Sequence, residues 1–514
     1  MTACDGVRLS VDIDGRADGP TVVLVHGYPD NSSMWSGVAA ELGAQHRVVT
    51  YDVRGAGRSD KPPGRASYRL DQLADDLRAV VDEVQPAGKV HLVAHDWGSV
   101  QAWHAVTGAG LRGRIASYTS ISGPSLDHVG AWFREQLTRP TPKRLKNALS
   151  QFLHSWYILA FQVPLIPDLL WRTGLMSRQI QRMEPDAAPP EKSDGLHGLQ
   201  LYRANMFTRL SRPAPRPAEI PVQVLAPTGD GYVTTPLQTE IARWVPGLRV
   251  RRIVGTHWVT RANPKVVATA AAELIEYAEG GAESRALRKA RVGAGRFAHR
   301  LVVVTGAGSG IGRATALAFA AEGADVVIAD IDAAAAAETL KLLEDHGAAQ
   351  YTVDSSDGDA VHRFAEDVRE NHGVPDIVVN NAGIGVSGPF LDTSVEDWER
   401  VIDVNLWGVI HGCRAFAPML AERAEGGHIV NLPSAAAHLP SKFLSAYATT
   451  KSAVLTLSVC LRAELAADHI GVTAVCPSKR YARRRFGPEG VAKDILRAVE
   501  RDLATAAHGE APKP

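Results

Sequence analysis

Cysteine is scarce in this chain of 514 residues, with four in all: Cys4, Cys413, Cys460 and Cys476. Their scattered spacing excludes a disulfide frame and points to a reducing compartment. Net charge is also lacking. Fifty-six basic residues balance fifty-six acidic ones, so the global field offers no hold to a nucleic-acid partner. No uninterrupted apolar run reaches the length that spans a bilayer. The opening Met1-Thr2-Ala3-Cys4-Asp5-Gly6 has no basic-then-apolar order, so no secretory signal is expected. Together these absences point to the cytoplasm. The length exceeds one ordinary core, and two or more domains are expected.

The first half carries strand-like apolar runs at Thr21–Val25, Arg47–Tyr51 and Val90–Ala94. A helical pattern over Leu70–Val84 separates the last two. Such alternation predicts a doubly wound α/β sheet. The run ending Ala94-His95 breaks at Asp96-Trp97-Gly98, and a helix pattern starts at Ser99. Strand, tight turn and helix make a nucleophile elbow, with Asp96 where an esterase has serine. A carboxylate nucleophile attacks carbon, which points to epoxides or alkyl halides. From about Ser125 to Pro221 the alternation stops, and a Trp-, Leu- and Pro-rich stretch predicts a helical cap. Its apolar span Phe152–Leu175 reads either as the wall of a long lipophilic pocket or as an ordinary cap core.

His26-Gly27-Tyr28-Pro29, the run Asp52–Ser59 and His95-Asp96-Trp97-Gly98 resemble the α/β-hydrolase family, in its epoxide hydrolase branch. The resemblance covers about residues 5–278. It implies Asp96 as nucleophile, Asp230 as the acid and His257 as the base, in the chain order of this fold. Asp127 and Asp168 are rival acids; Asp230 is preferred because it follows a strand and precedes Gly231. The backbone N–H groups of Tyr28 and Trp97 would form the oxyanion hole. Segments 156–164 and 201–206 resemble the two cap segments that bring one tyrosine each, here Tyr157 and Tyr202, to polarise the epoxide oxygen. The implied substrate is a small lipophilic epoxide. A haloalkane dehalogenase, the alternative, has no need of the two phenols. Taken singly, Asp96 could be an N-cap, His257 a surface histidine and the tyrosines packing residues.

Residues 1–280 are thus assigned to a hydrolase domain, with its cap over about 125–221. Residues 281–298, glycine-containing and basic, predict a solvated linker. A weak peripheral contact of this stretch with an anionic membrane is the minor reading.

From residue 299 a second pattern starts. The strand run Arg300–Val304 leads into Thr305-Gly306-Ala307-Gly308-Ser309-Gly310-Ile311-Gly312, which opens a helix. Glycines here admit a pyrophosphate to the helix N-terminus. The next strand ends in Asp330, about 20 residues on, as ribose recognition requires. An acid there favours NAD over NADP. With Asp354, Asn380-Asn381-Ala382-Gly383, Asn405, Ser434, Tyr447 and Lys451, the set resembles the short-chain dehydrogenase/reductase family. That resemblance implies a Rossmann-type doubly wound parallel sheet, NAD as cofactor and a homo-oligomer. Gly306, Ser309, Gly310, Ile311, Gly312, Asp330, Asp354 and Asn381 would hold the cofactor, Asp354 at its adenine ring. Tyr447 would be the general acid/base, helped by Lys451 on the same helical face. Ser434 would orient the substrate, and Asn405 would hold a water relay.

The end departs from that family. Ser478 stands where a glycine is usual, and Lys479–Arg485 runs straight into Phe486-Gly487-Pro488. The threonine-bearing segment and the substrate loop are missing from the pattern, and the usual last strand is hard to find in it. This reads as an internal deletion that impairs turnover, and a non-catalytic NAD-binding or dimerisation module is the alternative. As a whole the chain resembles the actinobacterial fusion of an epoxide hydrolase with a short-chain dehydrogenase.

Overall fold

A computed structural model describes residues 1–183, 189–343, 347–439, 442–477 and 487–507. The chain divides into two compact units, Met1–Val292 and Gly293–Pro514.

The first unit is built on seven strands: β1 (Val11–Gly15), β2 (Thr21–Val25), β3 (Arg47–Tyr51), β4 (Val90–His95), β5 (Ile115–Ile121), β6 (Val222–Pro227) and β7 (Arg249–Ile253). They lie in the order β1-β3-β2-β4-β5-β6-β7. β1 pairs antiparallel to β3 and the rest are parallel. β2, β4 and β6 are buried at every position. Helices cover both faces of such strands, which is why they read as unbroken apolar runs. Helix Leu70–Val84 packs Leu73, Leu77, Val80 and Val81 on one side, and helix Pro264–Ala278 packs Val267, Ala271 and Ile275 on the other. Between β5 and β6 the chain leaves the sheet for cap helices running from Leu126–Thr138 to Lys192–Ser211.

The second unit orders β10 (Ala349–Thr352), β9 (Asp325–Asp330), β8 (Leu301–Thr305), β11 (Ile377–Asn380), β12 (Gly427–Asn431), β13 (Ile470–Cys476) and β14 (Thr505–Ala507), all parallel. The crossover between β8 and β11 creates the switch point at which this architecture binds ligands.

Two expectations are corrected. A last strand does exist: Thr505–Ala507 pairs with Ala474–Cys476. Three residues reading Thr-Ala-Ala carry no strand signal of their own, so the pairing with β13 makes the strand. The stretch expected as a solvated linker is docked along helix Arg285–Ala290 and at Phe297, while residues 291–296 are exposed. Helix Arg285–Ala290 buries Leu287 completely. Glu283 accepts from Arg249 at 2.5 Å and from Arg291. Phe297 packs against Phe319, ring centroids 5.0 Å apart, inside the second unit. Its charges read as solvated because Glu283 pairs with Arg249 and Arg296 with Glu500, both distant in sequence. Ser478–Phe486, on which the expected departure from the dehydrogenase pattern falls, lies outside the described residues.

Candidate active sites

In the first unit, β4 ends at His95 and Asp96 turns the chain into helix Trp97–Val106 with φ 50°. A left-handed aspartate is tolerated only where its neighbours fix it. Glycines supply the clearance. A Cβ on Gly98 would fall 2.2 Å from the Val25 carbonyl oxygen, and one on Gly123 2.0 Å from that of Asp96. The elbow therefore has room only for glycine at both places.

The Tyr28 N–H donates to Asp96 Oδ1 at 2.7 Å. The Trp97 N–H heads its helix, where no intrahelical acceptor exists. Of the two expected oxyanion donors, Tyr28 is thus bonded to the Asp96 carboxylate, and Trp97 follows Asp96 directly in the chain. His26 holds this loop: its Nε2 accepts from the Val53 N–H at 2.8 Å, so its Nδ1 donates to the Gly27 carbonyl at 3.0 Å.

His257 joins the two acids. Its Nδ1 lies 3.1 Å from each carboxylate oxygen of Asp230, and its Nε2 3.6 Å from Asp96 Oδ2. Asp230 also accepts from the N–H groups of Tyr232 and Val233, at 2.8 and 3.0 Å. Burial pushes the His257 pKa down, but the fields of Asp230 and Asp96 outweigh it and raise the value to about 10. Burial works the other way on Asp230, and His257 more than offsets it, so Asp230 stays below the usual carboxylate range. The rival acids are placed elsewhere. Asp168 pairs with Arg203 at 2.6 Å, and Asp127 accepts from the Ala214 N–H at 3.0 Å.

A cavity of about 200 Å³ opens over Asp96, and Tyr157 and Tyr202 both line it. Their ring centroids are 5.9 Å apart. Burial raises both phenols above their ordinary pKa, so each is a proton donor at neutral pH. The rest of the wall is largely apolar, with Val100, Leu126, Val129 and Ile158 among its residues.

The side-chain roles of three residues that hold these groups, Tyr28, Asn205 and Arg203, escaped the sequence reading. The Tyr28 ring packs edge-on to Tyr202, Phe161 and Trp171 at 5.3–5.9 Å, and so keys the cap to the core. Asn205, one turn after Tyr202, accepts from the Leu70 N–H at 2.9 Å and donates to the Tyr68 carbonyl at 2.8 Å. Arg203 donates to the Phe161 carbonyl at 3.0 Å, at the end of the helix that carries Tyr157. It therefore ties the helices of the two tyrosines together. The only available signal was a polar residue in an otherwise apolar segment.

In the second unit, Gly306, Ser309, Gly310, Ile311, Asp330, Asp354, Asn381, Ser434, Tyr447 and Lys451 line one cavity of about 750 Å³. Gly306 and Gly310 have φ of 61° and 54°. A Cβ on Gly312 would fall 2.1 Å from the Gly306 carbonyl oxygen, so Gly312 lies beneath the loop instead of facing the cavity. Ser309 precedes helix Gly310–Ala321 without capping it, which leaves its hydroxyl to the cavity. Asp330 holds the loop, accepting from the Gly308 N–H at 2.7 Å. Asn381 donates to the carbonyls of Thr305 and Gly306 at 2.9 Å each. The Asp354 carboxylate accepts from the Ser356 N–H at 2.9 Å and from its hydroxyl at 2.7 Å.

Lys451 is buried and donates to the Leu432 carbonyl at 2.9 Å. Burial lowers its pKa to about 8. Its Nζ lies 5.7 Å from the centre of the Tyr447 ring. Asn405 is not part of the cavity wall. It sits in a π-helical turn, Asp403–Trp407, and both ends of its amide bond the backbone of Ile384, at 2.8 and 2.9 Å. It thus props the loop after Asn381.

Comparison with known proteins agrees with this division. Residues 20–259 match the family model for the alpha/beta hydrolase fold, and residues 300–481 that for short chain dehydrogenase. Probable oxidoreductase EphD of Mycobacterium tuberculosis is 43% identical over 97% of this chain and 92% of its own length. The chain belongs to this family of hydrolase–dehydrogenase fusions. The protein of the same name in Mycobacterium bovis matches to the same extent. That alignment runs over 545 positions against 514 residues here, so the mycobacterial member carries segments that this chain lacks. Meso-2,3-butanediol dehydrogenase of Serratia marcescens is 37% identical over 36% of this chain and 72% of its own. The fusion family thus joins a hydrolase domain to an oxidoreductase domain in one chain. No described helix is long and apolar enough to cross a membrane.

Proposed function

We propose that the first unit hydrolyses a lipophilic epoxide to a vicinal diol through an ester on Asp96. The observation that carries this reading is the pair Tyr157 and Tyr202 in one cavity with Asp96. Asp96 Oδ2 attacks an epoxide carbon and the ring C–O bond breaks. The alkoxide takes a proton from a tyrosine. Esterification removes the negative charge of Asp96 and, with it, part of what holds the proton on His257. The imidazole then passes its proton, through solvent, to the tyrosinate left by ring opening and, now neutral, serves as base toward water. Hydroxide adds to the ester carbonyl, and the oxyanion on Oδ1 stays against the Tyr28 N–H. Collapse expels the diol alkoxide, which is protonated from His257. A dehalogenase reading is less favoured, because a halide leaving group takes no proton from two phenols.

The test is single turnover in ¹⁸O water with a panel of epoxides of increasing chain length. Label should enter the enzyme, and the first diol should carry none. Solvent label in that first diol would end the proposal.

For the second unit we infer an NAD-dependent alcohol dehydrogenase with impaired turnover. The glycine cradle and the cavity fit a dinucleotide, with Asp330 at the ribose position. Bound there, the nicotinamide would exchange a hydride with the substrate. Tyr447 would move the hydroxyl proton, Lys451 would hold its charge beside that ring, and Ser434 would orient the substrate oxygen. The chain passes from Cys476 to Pro488 in eleven residues, which leaves little chain to close over a substrate. Titrating NAD and NADP and then assaying alcohols tests this. Binding without turnover would leave a cofactor-bound module.

A further inference from the structure

The cap presents its apolar side chains outward. Helix Pro142–His154 exposes Leu145, Leu149, Phe152 and Leu153 and buries Ala148 and Gln151. Positions i, i+4, i+7 and i+8 form one stripe, which in a globular helix faces the core. Here it faces solvent. Trp156 is 67% exposed and Leu165 79% exposed. Leu165 has φ 72°, a costly conformation for a bulky residue. In the first unit, all but two of the exposed large apolar side chains (Ile13 and Val292) lie between residues 137 and 207. Scattered apolar residues need no explanation, whereas a concentration on one module marks a contact surface.

Charge says what the contact is. Between residues 139 and 183 there are seven lysines and arginines and one acid, Asp168. Six of the seven bases are exposed, among them Lys143, Lys146 and Arg172. Asp168 is committed to Arg203. An apolar stripe framed by cations fits an anionic lipid surface. A second copy of the chain would bring the same positive charge against it. The patch is also continuous with the catalytic cavity, because Phe152, Leu159 and Phe207 belong to both.

We propose that the cap docks on anionic membranes, with its apolar stripe in the headgroup layer and the mouth of the cavity facing the lipid. The contact is thereby placed on the cap and not on the basic stretch 281–298, where Glu283 and Glu500 engage Arg291 and Arg296. The proposal stands on this surface alone and does not require the epoxide reading.

The test is co-sedimentation of the full chain with vesicles of phosphatidylglycerol and phosphatidylcholine. The chain should pellet with the mixed vesicles, stay in solution with phosphatidylcholine alone, and be released by salt. The double change Lys143→Glu, Lys146→Glu should weaken partitioning roughly tenfold. Leu149→Ser with Leu153→Ser should abolish it while leaving the melting temperature unchanged, since both side chains are exposed. Mixed vesicles should also blue-shift the emission of the chain, and Trp156→Phe should remove that shift. No pelleting with mixed vesicles, or binding untouched by both double changes, would overturn the proposal. So would a dimer that Leu149→Ser with Leu153→Ser converts to monomer, since the surface would then join two copies.

Discussion

Nε2 of His257 stands 3.6 Å from Oδ2 of Asp96. The imidazole thus lies beside the carboxyl that would carry the proposed ester, with its other ring nitrogen on Asp230. Replacing His257 with Gln should leave attack on the epoxide intact and block hydrolysis of the adduct. Intact-mass spectrometry should find one substrate equivalent bound per chain, with turnover lowered roughly 10²–10⁴-fold. Normal turnover by this variant would contradict the assigned role.

Tyr157→Phe and Tyr202→Phe each remove one phenol without changing the packing of the ring. Each alone should slow epoxide opening, and together they should lower kcat roughly 10²-fold or more. Ester hydrolysis, read as decay of a preformed adduct, should change little. Opening at the wild-type rate in the double variant would count against the epoxide reading.

Arg203 ties together the helices that carry both tyrosines and is not among the residues lining the cavity over Asp96. Arg203→Met would strip Asp168 of its partner and the Phe161 carbonyl of its donor. A charged hydrogen-bonding group of this kind is worth about 1.5–3 kcal/mol. Denaturant unfolding should report a loss of that order, and kcat should fall while the pH profile stays in place. Full activity would remove Arg203 from the site.

The pH dependence of stability follows from His257. Its pKa is 6.5 ordinarily and about 10 here; burial opposes the rise, and Asp230 and Asp96 outweigh burial. A base whose pKa is raised by folding contributes stability that is complete below about 6.5 and lost as pH climbs through about 10. The thermal midpoint should decline across that window, and His257→Gln should flatten the decline. Identical slopes in the two proteins would show that the triad contributes nothing to it.

The proposed preference of the second unit for NAD rests on Asp330, which lines the cavity. Asp330→Ser removes the charge that repels a 2′-phosphate. Calorimetry should then find weaker NAD binding and measurable NADP binding. NADP bound by the wild type as tightly as NAD would refute the assignment.

Motifs whose geometry is local are legible in the sequence alone. The helix Leu70–Val84 has the bounds its pattern implied, and the elbow at Asp96 and the glycine turn at Gly306 lie between the expected strand and helix. The signature Asp52–Ser59 was legible as a family mark, but its work is architectural. Arg54, fully buried, forms a bidentate pair with Asp76 at 2.5 and 2.6 Å, and Asp52 accepts from the N–H groups of Ser32 and Arg58. The span Phe152–Leu175 was ambiguous because apolar content does not reveal which side faces inward.

By itself the sequence determined which residues could do chemistry, since the order of nucleophile, acid and histidine and the spacing of Tyr447 and Lys451 are properties of the chain. It also determined the two sheets, because buried parallel strands admit little but aliphatic residues. Only the tertiary structure decided which acid serves His257, that Thr505–Ala507 is a strand, that the basic stretch is docked and that the cap turns its leucines outward. Each of these depends on partners distant along the chain, and proximity in space is what folding adds to order in sequence.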